Sequence, residues 1–180
     1  MSHHRFYWKT FIFWSLAVAA ILGIAFFTFQ KGSESANLTN GLLAACVDFC
    51  RRIGVPEPVI SSARWNDFKE MRRLAHTVEY FVLGIFVALA FHWTLQRRAR
   101  RQSSGSDGEM APVRFPAVRS FIFCACVSVC DQLVKGTRVD KEFDFRDFPY
   151  DVAGYVTAIA IVYVCVLIRR AYIRRSQKCA

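Results

Sequence analysis

The sequence predicts an all-α integral membrane protein, a four-helix bundle with two short interfacial helices between spans one and two. Three observations carry this prediction. The 180-residue chain is 54% hydrophobic and holds 17 Phe, with a mean hydropathy of +0.23, too apolar for a soluble domain of this size. Four stretches approach the roughly 20 apolar residues that cross a hydrocarbon core of about 30 Å. Between them, basic clusters alternate with loops of mixed sign, the charge pattern of a chain that threads a bilayer.

The first span, about 10–29, carries no charge. Arg5 and Lys9 precede it, so a cleaved signal peptide is the competing reading. Its apolar run exceeds the ~7–15 residues of a signal core, and no small-x-small site closes it. Leu38, Leu42, Cys46, Phe49 and Ile53 then follow helical spacing, with Asn37 or Thr39 available as a cap. Asp48, Arg51 and Arg52 lie off that stripe, which describes an amphipathic helix in the membrane interface. Gly54 and a Pro56-Glu57-Pro58 turn end it. Ser61 or Ser62 caps a second helix, where Trp65, Phe68 and Arg72 stand at i, i+3 and i+7 and Trp65 suits a headgroup anchor. A plainer role for both helices is to pack over the mouth of the bundle.

Span two, about 77–96, is long enough to cross but contains Glu79 and His92. The 97–116 stretch, with Ser103-Ser104-Gly105-Ser106-Asp107-Gly108 and two prolines, reads as a flexible cytoplasmic linker. Span three, about 118–134, is shorter and includes Asp131. Span four, about 150–168, stops at Arg169-Arg170 and a basic tail over 169–180. The membrane domain is thus expected over 10–168.

Net charge is +10, and its distribution says more than its size. Arg5 and Lys9, the Arg97-Arg98-Ala99-Arg100-Arg101 run, Arg169-Arg170 and Arg174-Arg175 all fall on one side of a four-span chain. The positive-inside rule makes that side cytoplasmic, with both termini there. Orientation accounts for the basic clusters without nucleic acid as a partner, and membrane lipids are the partner the composition implies. The seven cysteines form no CxxC and have no His at zinc-finger spacing, so they read as small apolar filler.

On that topology the polar residues gather at the outer end. Arg72, Arg73, His76, Glu79 and Tyr80 open span two, Asp131 and Gln132 close span three ahead of Arg138, and Asp147 and Asp151 open span four. Gln30 ends span one there too. Only His92 and Arg119 depart from the pattern. Arg73, His76 and Tyr80 share a helical face centred on His76, as do Arg72, His76 and Glu79. Asp147 and Asp151 lie one turn apart in line with Gly154, which lets a neighbouring helix approach.

An ionisable residue inside a span costs at least about 2.5–3.5 kcal/mol on insertion scales, so it is normally paired or functional. Pairing of Arg73 with Asp147 or Asp151, and of Glu79 with Gln132 or Arg138, would serve as helix glue. The same residues also compose a site: an imidazole that titrates near neutrality, carboxylates, and an arginine fork for phosphate or carboxylate. The ligand-binding candidates are Arg73, His76, Glu79, Tyr80, Gln132, Arg138, Asp147 and Asp151, and the catalytic candidates are His76, Glu79 and Asp151. No metal signature is complete and no cofactor is indicated.

With these residues placed, the chain resembles the VanZ-like family of bacterial membrane proteins. The family's basic-Ala-His-x-x-Glu-Tyr element opening span two is matched by Arg73-Leu74-Ala75-His76-Thr77-Val78-Glu79-Tyr80. Its Gln six residues before an Arg, and its Asp-x-x-x-Asp-x-x-Gly element, are matched by Gln132, Arg138 and Asp147-Phe148-Pro149-Tyr150-Asp151-Val152-Ala153-Gly154. A Ser-x-Gln-like element closing the first span is matched loosely by Phe27-Thr28-Phe29-Gln30 and then Ser33. The chain departs where the family has Asp-Glu-x-His-Gln, reading Ser128-Val129-Cys130-Asp131-Gln132 instead, and its Arg138-to-Asp147 interval is about three residues longer than the family's. The resemblance implies a bacterial inner-membrane protein of the cell envelope. It also implies a part in resistance to teicoplanin, a lipoglycopeptide, with a lipid-linked or anionic cell-wall precursor as partner. An intramembrane hydrolase or transferase, and a structural partner of another membrane protein, are the alternatives.

Overall fold

The computed structural model describes residues 2–29, 32–62, 68–103, 115–137 and 146–178. Among them the chain is helical apart from short turns, in the order α1 (Ser2–Phe29), α2 (Gly32–Arg52), α3 (Glu57–Ser62), α4 (Phe68–Ser103), α5 (Pro116–Gly136) and α6 (Phe148–Lys178). Four helices are long and apolar enough to cross a membrane, over Tyr7–Phe29, Arg73–Arg98, Pro116–Gly136 and Phe148–Ser176. Each runs beyond the apolar stretch seen in the sequence, because helix geometry continues past the residues that face hydrocarbon. The putting-together is antiparallel, α1 up, α4 down, α5 up and α6 down.

The central helix is α4, which packs most closely on α6, then on α1 and α5. Lipid is as apolar as leucine, so association inside a bilayer depends on close packing rather than on burial from water. Two glycines provide it. A Cβ on Gly84 would lie 2.9 Å from both Ala158 Cβ and Tyr155 Cα, and one on Gly154 would press on the Thr77 carbonyl oxygen and the Phe81 nitrogen. Tyr80, Leu83, Val87, Cys124, Tyr155 and Ala158 fill the centre and are fully or almost fully buried. Outward, Phe11, Leu22, Phe26, Ile122, Leu133 and Val164 are exposed, as lipid-facing residues should be.

Two helices do lie between spans one and two, but their bounds differ from the sequence expectation. α2 begins at Gly32, so neither Asn37 nor Thr39 caps it. Gly54 ends the unit as expected: its φ is +83°, and its N–H bonds the Arg51 carbonyl at 3.1 Å. The Pro56-Glu57-Pro58 turn is the start of α3, since proline is tolerated in a first turn where its missing N–H is not needed. Arg51 Nε and Glu57 Oε1, 2.6 Å apart, join the two helices. Phe68 and Arg72, expected on the second interfacial helix, open α4 instead, and Trp65 lies outside the described residues. The linker is also shorter than expected, because α4 continues through Ser103.

Candidate functional site

The polar residues of four helices meet at one end of the bundle. From α4 come Arg73, His76, Glu79 and Tyr80, from α6 Asp151 with Asp147 just ahead of it, from α5 Ser128, Asp131, Gln132 and Lys135, and from α1 Thr28. His76, Tyr80, Ser128, Asp131, Gln132, Lys135, Asp147 and Asp151 are all buried. Helical periodicity explains the delivery. Ser128, Asp131, Gln132 and Lys135 stand at i, i+3, i+4 and i+7, one continuous face of α5. Asp147 accepts the first backbone bonds of α6, from Tyr150 N at 3.0 Å and Asp151 N at 3.2 Å. A carboxylate at that terminus also suits the helix dipole.

Asp151 is the hub. It is fully buried, and its Oδ2 accepts hydrogen bonds from Ser128 Oγ at 3.0 Å and Gln132 Nε2 at 3.1 Å. His76 and Lys135 are near enough to act on its charge. Among the described residues, its Oδ1 and the Tyr80 hydroxyl are both buried without a hydrogen-bond partner. Tyr80 stands within reach of Ser128, Asp131 and Asp151. Its ring meets that of Tyr155 edge-on, with centroids 6.5 Å apart.

Two ion pairs flank the hub. Lys135 Nζ and Asp131 Oδ2 are 2.6 Å apart and sealed from solvent, and Thr28 Oγ1 donates to Asp131 Oδ1 from α1. Arg73 Nε lies 3.7 Å from Asp147 Oδ1, a looser contact at the mouth, where its guanidinium also stands 5.6 Å from the Tyr150 ring centre. His76 Nδ1 and Glu79 Oε2 are 3.4 Å apart along α4, too far for a good hydrogen bond.

The structure therefore brings together Arg73, His76, Glu79, Tyr80, Gln132, Asp147 and Asp151 from the sequence expectation. The expected Arg73–Asp147 pair forms. Glu79 does not pair with Gln132, whose amide is directed to Asp151 on the far side, and faces His76 instead. Arg138 and Gln30 lie outside the described residues. Sequence reasoning gave Thr28, Ser128 and Lys135 no place among the candidate site residues. The i, i+3, i+4, i+7 face of α5 was the signal that marks Lys135 and Ser128. Thr28 stood only in the loose Ser-x-Gln match, and its partner was not legible because Asp131 lies 103 residues away.

The arrangement can accept a proton or a donor at Asp151 Oδ1, donate from Tyr80, and meet an anionic group with Arg73 at the mouth. No cluster of three or more His, Cys, Asp or Glu suited to a metal ion occurs among the described residues. His92 lies far from this site, 3.0 Å from Gln96 through their Nε2 atoms.

A search of the curated proteins and a search of the solved structures returned no match. The family model described as VanZ/LLP1 matches residues 11–168, which takes in all four spans' apolar stretches and every residue of the polar cluster. This multi-pass membrane protein, with its basic-Ala-His-x-x-Glu-Tyr element on α4 facing the Asp-x-x-x-Asp-x-x-Gly element on α6, belongs to the VanZ/LLP1 family.

Proposed function

We propose that the protein works in the bacterial inner membrane with both termini cytoplasmic, and that its polar cluster binds the headgroup of a membrane-borne amphiphile at the outer surface. The observation that supports this is the unspent bonding capacity of the cluster. Among the described residues, neither buried Asp151 Oδ1 nor the buried Tyr80 hydroxyl has a hydrogen-bond partner. Leaving such groups unmade costs about 1–3 kcal/mol each, which simple helix glue would avoid. A ligand hydroxyl or amine repays that cost.

The two described cations of the cluster divide the work. Lys135 is locked to Asp131 at 2.6 Å, while the Arg73 side chain reaches the surface with 14% exposure. Arg73 is thus the cation an incoming phosphate or carboxylate meets, with Arg138 assigned to the same role by the family pattern. An anionic group beside sugar or peptide hydroxyls describes a lipid-linked cell-wall precursor, and a lipoglycopeptide of teicoplanin type offers similar chemistry. On this reading the protein contributes to glycopeptide resistance by occupying one or the other.

The test compares wild type, Arg73→Gln, His76→Ala, Glu79→Gln and Asp151→Asn in a deletion strain. Membrane protein level is recorded beside teicoplanin susceptibility and surface binding of labelled teicoplanin. Variants that stay abundant yet behave like the deletion support the reading. A wild type indistinguishable from the deletion overturns the resistance role, and variants absent from the membrane mark the charges as structural.

One contact favours a second reading. The Ser128 hydroxyl donates to Asp151 at 3.0 Å, the geometry of a nucleophile beside a base. An intramembrane hydrolase or transferase would use Asp151 to take the Ser128 proton and His76 as general acid. Purified protein that releases phosphate from a lipid phosphate, and loses this in Ser128→Ala, would favour it over binding alone.

A further inference from the structure

The opposite, basic end of the bundle holds a second candidate site, distinct from the polar cluster. A groove of about 600 Å³ opens there, lined by Tyr7, Trp8, Thr10, Phe11 and Trp14 of α1 and by Arg97 of α4. Apart from Thr10 and Arg97 the lining is aromatic. The first span begins at Tyr7 and the second ends at Arg98, so the groove starts at headgroup level and runs into the hydrocarbon.

Two cations stand at this end: Arg97 lines the groove, and Lys9 lies on α1 between the lining residues Trp8 and Thr10 in sequence without itself lining it. The Arg97 guanidinium lies over the Tyr7 ring at 3.7 Å, and Lys9 Nζ lies over the Trp93 ring at 4.5 Å. Stacking uses the flat face of a guanidinium and leaves its N–H edge available to an oxyanion. Among the described residues no carboxylate pairs with either cation. The stretches 1–30 and 80–106, which hold both cations, contain no Asp or Glu. Two uncompensated charges fixed over aromatic rings, above an apolar slot, complement a phosphate carrying a hydrocarbon tail.

We propose that this groove is a binding site for an anionic phospholipid, its phosphate on Arg97 with the Lys9 charge adding to the positive field of that end, and one acyl chain against Trp8, Phe11 and Trp14. Phosphate-level cations and a lipid-facing aromatic wall act together, so the tail and the charge are both required. A zwitterionic lipid offers the same tail and phosphate but brings an ammonium group that the two cations repel, leaving no net attraction of charge. A free phosphate ester satisfies only the charge.

Native mass spectrometry of the detergent-purified protein tests this with phosphatidylglycerol and phosphatidylethanolamine of identical chains. Phosphatidylglycerol should be retained in preference, and its occupancy should fall about fivefold for each charge removed in Lys9→Gln and Arg97→Gln. Removing two charges elsewhere on the same end, by Arg174→Gln with Arg175→Gln, should leave it within about twofold, since those residues lie beyond a direct contact. Equal retention of the two lipids overturns the proposal, as does an equal loss in both double variants. Displacement by glycerol phosphate as readily as by phosphatidylglycerol also overturns it, because the groove would then add nothing. The wild-type comparison of the two lipids stands alone if a variant fails to accumulate.

Discussion

Asp131 and Lys135 show how a single pair governs this bundle. Both side chains are sealed, at 5% and 4% exposure, and are held 2.6 Å apart one helical turn from each other. Breaking a buried pair by removing one partner costs about 3–5 kcal/mol, because the survivor is left as an uncompensated charge. Lys135→Met should therefore lower stability in detergent by about 3–5 kcal/mol. Lys135→Met with Asp131→Asn should recover most of it. Thermal unfolding of the purified variants checks both, and equal stability of the single and double variants would refute the pairing. Much of this was readable at the residue scale. The Ser128, Asp131, Gln132, Lys135 stripe is visible in the sequence, whereas the bond from Thr28 is not. Which of two acids receives Arg73 was left open by spacing, and was decided by the start of α6, which puts Asp147 at the mouth and Asp151 at the centre.

At the scale of elements, the α4–α6 crossing holds the two halves of the polar cluster at their working separation. It is set by Gly154 against Thr77 and Phe81, and by Gly84 against Tyr155 and Ala158. A methyl group at Gly154 would meet backbone, which cannot swing aside as a side chain can. Gly154→Ala should destabilise by about 1–3 kcal/mol, the usual cost of overpacking. It should also weaken any ligand binding at Asp151 by moving α6 away from His76. Gly23 has nothing within 4 Å of its would-be Cβ, so Gly23→Ala should be neutral or slightly stabilising, as alanine favours the helix. Melting temperatures of the two variants, measured side by side, separate a crossing effect from a generic glycine effect. The role of Gly154 followed from its place after the two aspartates. That of Gly84 did not, because a glycine inside an apolar run gives no sign of which helix it faces.

For the whole molecule the decisive property is orientation. Lys9, Arg97, Arg98, Arg169, Arg170, Arg174 and Arg175 gather at one end, and the polar cluster occupies the other. Basic residues near span ends favour the cytoplasmic side. An alkaline phosphatase fused after Lys178 should therefore be inactive, and one inserted at Gly54 active. Green fluorescent protein at the same positions should give the reverse. The opposite result would turn the polar cluster toward the cytoplasm and remove the envelope role. Residues 97–103 add a second point. They were expected in a linker but continue α4, so the basic run is helical through Ser103.

The sequence by itself determined the four spans, the end at which the polar residues collect, and the identity of most of them. These are properties of hydropathy and period, which are local and one-dimensional. Tertiary structure decided the pairings: Asp151 with Ser128 and Gln132, Asp131 with Lys135 and Thr28, and Glu79 with His76 rather than Gln132. It also decided that α1 and α4 leave a groove between Tyr7 and Arg97. The physical reason is rotation. Period assigns a residue to a helix face, but only the packing of one helix against another fixes which neighbour that face meets.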